Sequence, residues 1–180
     1  MEPQFITLTS AKGDSNIETP GRECLANLLG TGTEGWNKWC HAGVRSTWIK
    51  ATFTANKLYR LSGYSLCSAG DSSDKDPMAW SLLGQQAVDG KWITLHEVDY
   101  TQPAGDEPVG FAEASRWQWL AVDLPSPSPP LSALKLEIHR ARGYVDGIQL
   151  GHLQFRGFVA KNFFPGELFS KGGDSGHNFS

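Results

Sequence analysis

At 180 residues the chain fits one domain better than two. Hydrophobic residues make up 39%, and Trp 7 with Phe 9 supply bulk for a core. The net charge of -3 comes with no basic stripe, which argues against nucleic acid as a partner, and no apolar run approaches the ~20 residues of a membrane span.

Residues 1–23 read as a polar lead-in with room for an edge strand at Phe5–Leu8. Glu23–Leu29 fits a single helical turn or a strand, and Gly30–Gly35 is a loop. In Trp48–Thr54, Ile49, Ala51 and Phe53 alternate with Lys50, Thr52 and Thr54, the period of a half-buried strand. Leu58–Ser68 is a second, aromatic-rich strand, followed by the polar loop Ala69–Asp76. Ala79–Leu83 and Lys91–Val98 flank the hairpin signal Asp89-Gly90. Tyr100–Val109 reads as a long loop, and Arg116–Leu124 as a strand. Pro125–Pro130 is too rich in proline to pair as a central strand. Leu134–Ile138 alternates again, Asp146-Gly147 signals a turn, and Ile148–Val159 closes the series. Residues 161–180 look like a flexible tail.

Short strands separated by turns, with no amphipathic helix of length, predict an all-β chain. The expected architecture is a two-sheet antiparallel, jelly-roll-like β-sandwich of about eight strands over residues 24–160. Its core is expected to hold Trp39, Trp48, Trp80 and Trp92. Three widely spaced cysteines, Cys24, Cys40 and Cys67, make a poor disulfide framework and fit reduced thiols. Met1–Ser10 lacks the basic start and apolar stretch of a secretion signal. Both features point to a cytoplasmic, or nuclear, setting.

Several local motifs lack the context their chemistry needs. Gly30–Gly35 satisfies G-x-G-x-x-G, but no strand and helix flank it to hold a pyrophosphate. Gly173-Asp174-Ser175-Gly176 copies the surroundings of a protease serine, yet it sits in the polar tail. Asn178-Phe179-Ser180 is a formal glycosylation acceptor without a secretion signal. Cys40 and His41 are adjacent on a strand, so their side chains diverge. The histidines and cysteines show no zinc spacing. With no nucleophile–base pair, paired carboxylates or metal cluster, the residues give no reason to expect an enzyme.

Leu58–Leu95 carries the strongest signal. It contains a strand ending in Ser68-Ala69-Gly70-Asp71, then Asp76-Pro77-Met78-Ala79-Trp80, Leu82-Leu83-Gly84, Asp89-Gly90 and Lys91-Trp92-Ile93-Thr94-Leu95. This order resembles the discoidin, or coagulation-factor type C, module of the galactose-binding-like superfamily. Within it the C-terminal module of plant-type cytoplasmic peptide N-glycanases is similar. The resemblance covers about residues 24–157 and is sharpest over 68–95. It implies a β-sandwich that binds ligands through the loops at one end. It also implies a structural Ca2+ near the first loop, held by acids. Here that loop offers one acid, Glu34, and the late acidic position falls near His152, so no cofactor is expected.

Sugar recognition needs an aromatic platform and a few polar hydrogen-bonders. By that chemistry the candidates are Trp36, Asn37, Lys38, His41 and Arg45 after the first loop, Asp71, Asp74 and Lys75 in the Asp-rich loop, and His139, Arg140, Arg142 and Tyr144 after Ile138. Asp71 and Asp76 also suit a loop-shaping role. The leading expectation is a non-catalytic module binding carbohydrate or a glycoprotein. The alternative is a protein–protein interaction module of an intracellular scaffold or ubiquitin-ligase assembly. Phospholipid binding is disfavoured by the acidic loop.

Overall fold

A computed structural model of the protein describes residues 6–15, 22–30, 37–53, 57–101, 110–111, 116–143 and 147–160. Its strands are β1 (Ile6–Ser10), β2 (Trp39–Ala42), β3 (Thr47–Phe53), β4 (Leu58–Cys67), β5 (Pro77–Gln86), β6 (Trp92–Asp99), β7 (Trp119–Asp123), β8 (Leu131–Ala141), β9 (Gly147–Leu150) and β10 (His152–Ala160). Leu25–Leu29 resolves the open choice at the start as a short 3-10 helix. Residues 31–36 and 161–180 lie outside the described residues, and with them most of the Gly30–Gly35 loop and the tail motifs.

Every pairing is antiparallel. One layer runs β1-β3-β8-β5-β6, and the facing layer runs β10-β4-β7. A single bridge, Tyr59 to Leu131, carries the ladder from one layer to the other. The ribbon β2-β9 stands apart. This is the expected β-sandwich, with ten strands among the described residues.

Strand alternation builds the core as the sequence predicts. Ile49, Ala51 and Phe53 of β3 and Leu134, Leu136 and Ile138 of β8 are buried, facing Tyr64 and Leu66 of β4 and Leu153 and Phe155 of β10. Trp80 Nε1 donates to the Tyr64 hydroxyl at 2.8 Å across the layers, and that hydroxyl meets His96 Nδ1 at 2.9 Å. Both polar rings are thereby satisfied inside the core. Burial pushes the Tyr64 phenol up to about 12, so it stays protonated at any working pH.

Three sequence expectations need correction. Trp92 does not plug the core: it is 36% exposed, with Lys50 Nζ 5.8 Å from its ring centroid. Directly opposed residues of an antiparallel pair point to the same side, and Trp92 opposes Gln85, which is out of phase with inward Trp80 and Leu82. Trp48 is only half-buried, on the outer side of β3, with Lys135 Nζ 5.4 Å from its ring. The closing segment is two strands, not one. At Gly151 the chain leaves the β2 ribbon for β4, and an added Cβ there would lie 2.6 Å from the Ser68 carbonyl oxygen and 2.7 Å from the Trp117 ring. The Asp89-Gly90 hairpin forms as expected, with Gly90 at φ +69 and Lys91 N bonded to Asp89 Oδ1 at 3.0 Å. The proline-rich crossover stays outside the ladders, but Ser128 stitches it to β4 by accepting from Leu61 N at 2.8 Å.

Candidate functional site at the loop end of the sandwich

Strands β1, β4, β6 and β8 end, and β3, β5, β7 and β10 begin, at one end of the sandwich. The loops 43–46, 68–76 and 142–143 therefore share that end, and Ile6 and Ala160 lie at the other.

Loop 68–76 is tied down by two polar anchors. Asp76 is fully buried and takes a two-pronged contact from Arg116, at 2.6 Å to Nη1 and 2.9 Å to Nη2. Burial pushes the Asp76 carboxyl up, and the Arg116 hydrogen bonds and charge pull it back. Its backbone oxygen accepts from Arg142 N at 3.0 Å. The second anchor is Lys38, 1% exposed, which donates to Asp71, to Gln149 Oε1 at 3.2 Å, and pairs with Glu23 at 3.3 Å. Gln149 Nε2 then reaches the Ser72 carbonyl at 2.6 Å. Burial works to raise the Asp71 carboxyl, but the Lys38 hydrogen bond and charge outweigh it and hold it below the ordinary range. Both aspartates shape the loop, as expected, but through distant cations.

The predicted site residues divide. Asp74 is exposed, Lys75 is half-buried beside it, and Arg45 is exposed on loop 43–46. Asn37 is half-buried at the start of the β2 segment. Asp71 keeps about half of its side chain in solvent while bound to Lys38. His41 is engaged: its Nδ1 meets Thr47 Oγ1 at 2.8 Å, and burial lowers its imidazole's affinity for a proton. Arg142 turns inward and donates to the Phe111 carbonyl. Arg140 leaves the loop cluster for the β6 side, where its charge helps lower Asp99 after the Thr101 hydrogen bonds. Trp36 and Tyr144 lie outside the described residues.

An aromatic group beside this loop escapes a reading of the sequence. Trp119, Cys67 and His152 occupy one row across β7, β4 and β10. Trp119, 44% exposed, stacks on buried His152 with centroids 5.7 Å apart at 14°. Trp117 lies 5.6 Å from the same imidazole, and its backbone is left-handed at φ +58, a conformation a bulky residue rarely adopts. Burial pushes the Cys67 thiol beneath them up to about 11. All three cysteines are free, and Cys40 is raised as well, first by burial. The first loop, where the resemblance implies a Ca2+, lies almost wholly outside the described residues. His152 occupies the late position with Nδ1 on the Asn27 carbonyl at 3.2 Å, and no group of three or more acids, histidines or cysteines among the described residues suits a metal. Among the described residues, no helix is long and apolar enough to cross a membrane.

No protein-family model matches the sequence, and no curated protein matches it. Solved structures do match the fold. A family 32 carbohydrate-binding module from Streptococcus pneumoniae EndoD aligns at a TM-score of 0.60 and 17% identity, covering 84% of this chain and 94% of that one. The F5/8 type C domain of a Bacteroides fragilis protein aligns at 0.62 and 8% identity, covering 86% and 93%. The family 32 module of Clostridium perfringens NanJ, solved in complex with galactose, aligns at 0.56 and 9% identity, covering 83% and 92%. The chain thus has the galactose-binding-like, discoidin-type β-sandwich fold.

Proposed function

We propose that the chain is a non-catalytic carbohydrate-binding module, centred on residues 24–160, that recognises its ligand at the loop end. The observation that carries this reading is the anchoring of loop 68–76. Asp76 and Lys38 fix its backbone from beneath while Asp71, Asp74 and Lys75 remain at its surface. A site held in advance loses less entropy on binding. Arg45 and Asn37 supply further polar groups at the same end, and the exposed Trp119 ring, opposite Cys67 at the foot of loop 68–76, offers an apolar face. The three structures above that share the fold include two carbohydrate-binding modules, one holding galactose.

The absence of catalysis in this reading fits the state of the reactive side chains. His41 is held by Thr47, and burial keeps the Cys40 and Cys67 thiols protonated. The free cysteines suit a cytoplasmic or nuclear location, where glycans of misfolded glycoproteins are the proposed target, as the resemblance to the peptide N-glycanase module suggests.

A glycan array followed by calorimetry tests the reading. Binding is expected at a Kd of about 1 μM to 1 mM, weakened about tenfold by Asp74→Ala or Arg45→Ala. A blank array, or variants that bind as the parent does, overturns it. Capture of a protein partner in place of glycan would favour the interaction-module alternative.

A further inference from the structure

We propose a second saccharide-binding groove, adjoining the loop end at Ser46, across the outer face of the β3-β8-β5-β6 strands with His139 at its centre. Two adjoining concavities, of about 260 and 440 Å3, share His139 as a wall. The larger falls within the ~300–1,000 Å3 usual for small-ligand sites. The strand register makes their floor continuous. Trp48 opposes Glu137, Glu137 opposes Ser81, and Ser81 opposes Glu97, so four outward side chains form one row. Three strand spacings give that row a length of about 14 Å, enough for a short chain of sugar rings.

A bulge aims His139 into this row. The β5–β8 register steps from Ala79–Arg140 to Trp80–Ile138, which leaves His139 as the extra residue on β8. His139 is exposed, and its Nε2 lies 2.8 Å from Ser81 Oγ. Its other ring nitrogen has no hydrogen-bond partner among the described residues.

The lining selects a neutral polyol. Glu137 is paired with Lys135 at 2.6 Å, and Asp99 stays charged while accepting from Thr101 N at 2.9 Å, with the Arg140 charge acting on it. Glu97 has no ion pair or hydrogen bond among the described residues and can accept from two hydroxyls. Trp48, steadied by the Lys135 ammonium over its ring, supplies an apolar wall at one end. None of the large exposed apolar side chains (Val88, Trp92, Trp119, Phe158, Val159) lines the groove, which disfavours a protein partner. The class of ligand rests on the reading of the loop end; the groove borders that end at Ser46 but holds none of Arg45, Asp71, Asp74 or Lys75.

The test is a 1H–15N correlation titration of the whole chain with cellotetraose, mannotetraose, galactotetraose and chitotetraose at millimolar concentration. Shifts are expected at Ser81, Glu97 and His139. Glu97→Gln and Trp48→Ala should weaken that binding about tenfold, while Val88→Thr, on the exposed hairpin at the other end, leaves it unchanged. Glu97→Gln alters no buried contact, so it keeps the test open should Trp48→Ala fold poorly. Shifts confined to residues 43–45 and 69–76 overturn the groove and leave the loop-end reading standing. Shifts confined to the groove do the reverse. A chain that shifts with none of the four sugars overturns both.

Discussion

Asp76 is the residue on which the loop end depends. A carboxylate with no solvent exposure depends for its charge first on Arg116, with lesser help from the Gln149 side chain and the Arg142 charge. Removing one partner of such a pair strands the other, at a cost of about 3–5 kcal/mol. Arg116→Ala should therefore destabilise the protein by that order in urea denaturation. A loss below about 1 kcal/mol would place the pair with ordinary surface ion pairs. Asp71 makes a different prediction. Its carboxyl is held below the ordinary range, so the unfolded chain binds its proton more readily, and stability falls as pH drops below about 4. Asp71→Asn should flatten the acid side of the melting-temperature profile, and an unchanged slope would remove Lys38 as the cause. Both aspartates are legible in the sequence as loop-shapers. Their cations are not: Lys38 and Arg116 lie 33 and 40 positions away in the chain. Turn chemistry carries no information about side chains that distant.

Strands are legible where alternation is strict. Period two alone assigns Ile49, Ala51 and Phe53 in β3 and Leu134, Leu136 and Ile138 in β8 to the core, and all are buried. The direction of Trp92 is not legible, because it depends on the parity of its pairing with β5 across the hairpin, and a bulge between Leu82 and Leu83 shifts that register. The two tryptophans of this hairpin should behave unlike each other. Trp80→Ala removes a fully buried ring and its bond to Tyr64, at about 3–5 kcal/mol. Trp92→Thr should cost under about 1 kcal/mol, the worth of an exposed cation–π contact with Lys50. Equal losses in thermal unfolding would return Trp92 to the core. The split of the last segment into β9 and β10 is hidden for a related reason. Gly151 is required by the approach of Ser68 and Trp117, and neither is near it in sequence.

At the scale of the whole molecule, two layers of antiparallel strands leave their loops at two ends, and the buried polar anchors at Asp76 and Lys38 both serve one of them. That asymmetry is the physical basis for placing recognition there, since a sandwich needs only its apolar layers to fold. The fold is legible from strand spacing and turn residues. Of the candidate site, the loops are legible and the division of labour within them is not: His41 and Arg142 support the structure, while Arg45, Asp74 and Lys75 face solvent in whole or in part. The most direct measurement is a crystal structure of the protein with a saccharide selected on the array. A sugar seated against loop 69–76, in contact with Asp71, Asp74 or Lys75, is the expected outcome. A sugar bound at the opposite end, against the 87–91 hairpin or the proline-rich crossover, would contradict it.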